Sequence, residues 1–147
     1  MPRLPVNTNA DAMDMANEIF GDGVTVTDAT YTGDNRSSGI YSNGDTISPD
    51  ATPSDSGVIL STGRAQNFTN RNGSFNQSSG RSTNTNGEDN NPEFNALAGT
   101  NTYDASYLTV EFVPTGDTMT MQFVFASEEY PEYTSSVFKD VVAVTIN

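Results

Sequence analysis

Cysteine, histidine and tryptophan are all missing from these 147 residues, and lysine occurs once, at Lys139. Without cysteine there are no disulfides, no thiolate nucleophile and no cysteine-zinc centre. Without histidine the usual general base near neutral pH is gone, together with most transition-metal sites. Without tryptophan a sugar-hydrolysing cleft would lack its usual stacking floor. Positive charge is scarce as well: 6 Lys and Arg face 19 Asp and Glu, for a net charge of −13 and a pI near 4.1. Such a chain has no basic patch to displace counterions from phosphates, so a nucleic-acid partner is disfavoured, and anionic membranes repel it. No run of apolar residues is long enough to insert in a membrane as a helix. The opening M-P-R-L-P-V-N-T-N-A also lacks the apolar core of an amino-terminal signal peptide.

What is present points to β-structure. Only 34% of residues are hydrophobic, and the polar remainder is rich in Asn, Ser, Thr and Gly, which favour turns and strand edges over helices. The length fits one domain, residues 1–147, with a real core. The single helical signal covers residues 10–20, capped by Thr8 or Asn9, with Ala12, Met13, Ala16, Ile19 and Phe20 on one face and Gly21 and Gly23 as stops. Residues 24–29 alternate apolar and polar side chains as a half-buried strand does. Residues 56–63 read as a short strand buried on both faces and closed by glycine. Residues 65–102 are Asn/Ser/Gly-rich with few apolar anchors and read as one long loop. A strand over 107–113 and a turn at Pro114, Thr115, Gly116 and Asp117 predict a hairpin with 118–125. A β-branched run at 141–146 predicts a further strand, one that is ordinarily central and paired on both sides.

Between those last two strands lies the densest chemistry. Glu128, Glu129, Glu132 and Asp140 surround Tyr130, Pro131 and Tyr133, with Lys139 the sole local cation. Carboxylates gathered on a folded surface repel one another by a few kcal/mol unless something compensates. Ca²⁺, which takes six to eight oxygen ligands, is the physical candidate, and a solvated acidic turn is the plain alternative. No EF-hand loop is present. Tyr130, Tyr133 and Tyr41 would suit a sugar or a partner protein if exposed, and would roof the core if not. A glycosidase could be assembled from Glu128 and Glu132, but a carboxylate pair is common in an acidic chain, so no catalytic residue is assigned.

Four blocks resemble one family in order along the chain: V-T-V-T-D-A-T-Y-T-G at 24–33, S-G-V-I-L-S-T-G at 56–63, T-Y-D-A at 102–105, and above all F-V-F-A-S-E-E-Y-P-E-Y at 123–133. They are similar to the bacterial choice-of-anchor L domains. The resemblance implies an extracellular or cell-surface domain, often part of an adhesin-like protein, and says little about biochemical activity. It also implies further strands beyond Asn147. The expectation is therefore an all-β, jelly-roll-like β-sandwich with one short amino-terminal helix, incomplete at its carboxy-terminal end. Its partners would be other copies of itself or a complementing carboxy-terminal segment, joined by strand addition into an assembly such as a filament.

Overall fold

The computed structural model describes residues 2–74, 83–127 and 140–147. Two small antiparallel sheets organise them. One has three strands in the order β1 (Val6–Asn7), β3 (Ser38–Tyr41), β4 (Gly57–Leu60). The other pairs β2 (Val24–Thr32) with β5 (Tyr107–Pro114). A helix, α1 (Ala12–Phe20), packs against strands of both sheets.

The helix begins two residues later than its sequence signal. Asp11, rather than Thr8 or Asn9, is the cap: its carboxylate accepts from the Asp14 N–H at 2.8 Å, and Asp14 accepts the Asp11 N–H at 3.1 Å. This reciprocal capping box satisfies two amide donors that the first turn would otherwise leave open, which neither Thr8 nor Asn9 could do from outside it. Met15 and Ala16 are fully buried, and Phe20 stacks on Phe112 of β5 at a centroid distance of 5.0 Å. Gly21 ends the helix at φ +57°, a conformation that favours glycine.

β2 contains a feature its alternation hides. Apolar side chains sit at Val24 and Val26, then at Ala29 and Tyr31, so the pattern slips by one residue. Pairing with β5 absorbs the slip: Val26 faces Phe112, Asp28 faces Glu111, and Thr27 is the extra residue of a bulge, its hydroxyl donating to the Glu111 carbonyl at 3.1 Å. Without the bulge, half of the strand would turn its apolar face to water.

The predicted hairpin is not formed. β5 pairs with β2, and Thr115 donates from both its N–H (3.3 Å) and its hydroxyl (2.7 Å) to the carbonyl of Gly23. The residue that would turn the chain back along β5 is thereby fastened to the start of β2. Residues 118–127 and 140–147 form no strand, and apart from the half-buried Val141 their large apolar side chains are exposed, Phe123 by 62% and Ile146 by 70%. β4 is shorter than the sequence suggests and only half-buried, with Leu60 exposed. A four-residue helix, α2 (Gly44–Ile47), follows Asn43. The Asn-rich stretch holds more structure than a loop: α3 (Pro92–Ala98) follows an Asn91 cap, with a proline in its first turn.

The core of the three-stranded sheet is Leu4, Tyr41 and Ile47, against which Val6, Ile59 and Phe68 pack. Tyr41 was a candidate for an exposed binding ring; it is instead 4% exposed. Two glycines make the room. A Cβ on Gly57 would lie 2.8 Å from the ring, and one on Gly44 3.0 Å from it. Burying an aromatic ring of this size stabilises by about 2–3 kcal/mol, a gain available only because both neighbours lack side chains.

Candidate functional site

Of the residues singled out in the sequence, Glu128, Glu129, Tyr130, Glu132 and Tyr133 lie outside the described residues. Asp140 is described: it is exposed, and its carboxylate accepts a short hydrogen bond from the Ser127 hydroxyl. Ser127 and Asp140 therefore meet, although 13 positions separate them. Tyr41 belongs to the core, as above. Among the described residues no three acidic side chains are placed to hold a metal ion.

The most highly connected polar site lies elsewhere, at Asp34. Its carboxylate is 4% exposed and is saturated. Oδ1 accepts from the Arg36 backbone N–H and from Arg36 Nε, each at 2.8 Å; Oδ2 accepts from Arg36 Nη2 at 2.8 Å and from the Asn86 N–H at 2.9 Å. The bidentate guanidinium, then the two backbone donors, hold Asp34 far below the usual carboxylate range despite its burial. The same contact raises the Arg36 guanidinium above its ordinary value. An ionised carboxylate with its lone pairs occupied is neither a base nor a nucleophile. Its chemistry is to fix backbone.

What it fixes is the meeting point of four segments. The Ala65 N–H donates to the Arg36 carbonyl and the Ser61 N–H to the Ser37 carbonyl, both at 2.8 Å. The fully buried Ser37 hydroxyl returns a bond to the Gly63 carbonyl at 2.7 Å. Tyr31 donates to the Asp34 carbonyl at 3.0 Å and lies 2.9 Å from the Ser106 hydroxyl, which itself reaches the Ser37 carbonyl at 3.2 Å. Asn86 brings in the fourth segment, 85–90, which is also held by Asp104. That residue, at φ +57°, accepts the Thr85 N–H on Oδ1 at 3.1 Å, while Ala105 N–H donates to the Glu88 carbonyl at 2.9 Å. Thr85 completes the tie through its hydroxyl to the Thr62 carbonyl at 3.1 Å.

Sequence reasoning passed over Asp34 and Asn86. The one local signal was the Gly33, Asp34, Asn35 turn chemistry followed by Arg36, since an Asp two residues before an Arg can fork both its side chain and its backbone. Nothing local could announce the partner 52 positions away. A cavity of about 370 Å³ lies between residues 47–51 and 72–74, with Asp50 the one charged side chain among the described residues that line it.

No curated protein and no solved structure matches this chain. Among the described residues no helix is long and apolar enough to cross a membrane. One family model does match, the choice-of-anchor L domain, over residues 5–147. Its members are bacterial surface-anchoring modules rather than an enzyme family, and membership implies an extracellular or surface location. The chain belongs to the choice-of-anchor L domain family.

Proposed function

We propose that this domain is a non-catalytic extracellular surface or matrix module that joins other copies of itself, or a complementing carboxy-terminal segment, by strand addition. One observation carries this reading. Residues 118–125 hold Met119 and Met121 between polar neighbours and then the run Phe123, Val124 and Phe125, a strand-forming sequence, yet these side chains are 37–62% exposed. In the β-branched run 141–146, Val142, Val144 and Ile146 are exposed by 54–70%. Meanwhile β5 pairs with β2 alone, and among the described residues no strand covers its other edge. Strands laid on that edge would extend the two-stranded sheet and cover apolar surface, completing a jelly-roll-like sandwich. Sedimentation at micromolar concentration should give oligomers, and the pair Phe123→Asp with Val144→Asp should return them to monomer. A well-folded wild-type monomer of 15.7 kDa would refute the reading.

A second reading is favoured by the contact between Ser127 and Asp140. It brings Asp140 beside the residue that precedes Glu128 in the chain, as a calcium-stabilised carbohydrate- or protein-binding loop would require, with Glu128, Glu129, Glu132 and Asp140 as ligands and Tyr130 and Tyr133 as binding rings.

A further inference from the structure

Three asparagines precede glycine in this chain: Asn43, Asn72 and Asn86. Such pairs share one intrinsic reactivity. The glycine nitrogen can attack the asparagine side-chain carbonyl, because glycine leaves that nitrogen unhindered and the backbone free to bend. In the unfolded chain the three are chemically alike, so any difference among them is imposed by the fold.

The fold separates them sharply. The Gly44 N–H is held by the Asp55 carbonyl at 2.8 Å, and Gly44 is buried. The Gly73 N–H is held by the Asn70 carbonyl at 3.0 Å; Gly73 is likewise buried, with its carbonyl taken by the Ser48 hydroxyl at 2.6 Å. At both places a sound backbone hydrogen bond must be given up before the nitrogen can react. The Gly87 N–H has only a 3.5 Å contact with the Thr85 hydroxyl, at the outer limit of a hydrogen bond, and Asn86 is exposed.

We propose that Asn86 is a self-modification site, at which the Gly87 nitrogen converts asparagine to aspartyl and isoaspartyl residues and so loosens the 85–90 segment from Asp104 and Ala105. The step balances without a co-reactant other than water. A bond forms between Gly87 N and Asn86 Cγ, the Cγ–Nδ2 bond breaks, and ammonia leaves with the amide proton. Water then opens the cyclic imide at either carbonyl. Opening at one restores the normal backbone, with an aspartyl side chain in place of the amide; opening at the other leaves isoaspartyl, with one additional methylene in the main chain. That added length falls where no slack exists. A Cβ on Gly87 would already stand 2.6 Å from the Asp104 carbonyl carbon and 2.7 Å from the Ala105 oxygen. A longer backbone cannot keep both the Asn86 N–H on Asp34 and the Glu88 carbonyl on the Ala105 N–H, the bonds on either side of the insertion.

The test is peptide mass spectrometry on the full chain incubated at mildly alkaline pH, folded and in urea. In the folded protein Asn86 should convert about tenfold faster than Asn43 and Asn72, the factor that one backbone hydrogen bond supplies. In urea the three should convert at similar rates. Equal rates at Asn43 or Asn72 in the folded protein, or folding that slows Asn86 as much as the other two, would overturn the assignment. The isoaspartyl fraction should also exchange the Ala105 amide proton faster than the Asn86→Gln variant, which keeps the fold without cyclising readily; equal exchange would overturn the loosening.

Discussion

Substituting Asp34 by Asn isolates the role of its charge, because the two side chains have the same shape. The carboxylate accepts four hydrogen bonds, three from Arg36 and one from the Asn86 N–H. An amide keeps one oxygen and turns the other position into a donor. Whichever way it sits, NH₂ must face either the Arg36 donors or the Asn86 N–H, leaving a donor against a donor in a site that is 4% exposed. Losing one charge-assisted pair and leaving one buried donor unmet costs about 2–4 kcal/mol. The pH dependence has a definite sign. Asp34 is depressed in the folded protein, so its contribution is complete above the ordinary carboxylate value and is lost as pH falls below about 4 toward the lower folded value. Urea unfolding of wild type and Asp34→Asn should therefore differ by about 2–4 kcal/mol at pH 7, with the gap narrowing at pH 3. Limited proteolysis of the variant should cut faster within residues 83–91. A difference below about 0.5 kcal/mol at pH 7, the scatter of ordinary surface substitutions, would refute the view that this carboxylate ties the four segments together.

Gly57→Ala places a methyl 2.8 Å from the Tyr41 ring and should destabilise by about 1–3 kcal/mol, read from denaturant midpoints; Tyr41→Leu in the same chain should recover part of the loss. If Ca²⁺ binds the acidic segment, calcium at 100 times its dissociation constant adds about 2.7 kcal/mol, and the pair Glu129→Gln with Asp140→Asn abolishes that gain; equal melting temperatures in calcium and in chelator would end the calcium reading. Phe20→Ala removes the half-buried ring stacked on Phe112 and should cost about 1–3 kcal/mol in thermal unfolding, since this contact joins α1 to the two-stranded sheet.

The sequence by itself determined the elements whose signals are local. The existence of α1 with the glycine that ends it, the β-branched run of β2, the short strand before Gly63 and the strand at 107–113 were all legible, because helix and strand periods are written within a few residues, although the methionine that α1 buries is Met15 and the expected Met13 is exposed. The four blocks beginning at Val24 and ending at Tyr133 were likewise sufficient for the family. Tertiary structure decided the rest. That β5 finds β2 as its partner depends on residues distant in sequence, the pairing being closed by Thr115 reaching Gly23 across 92 positions. That Tyr41 is core rather than surface depends on Gly44 and Gly57 arriving on its ring without side chains. That Asp34 is a structural anchor depends on Asn86 and Arg36 filling its lone pairs together. In each case the local residue type was compatible with two outcomes of similar intrinsic energy, and a partner distant in sequence supplied the kcal/mol that chose between them.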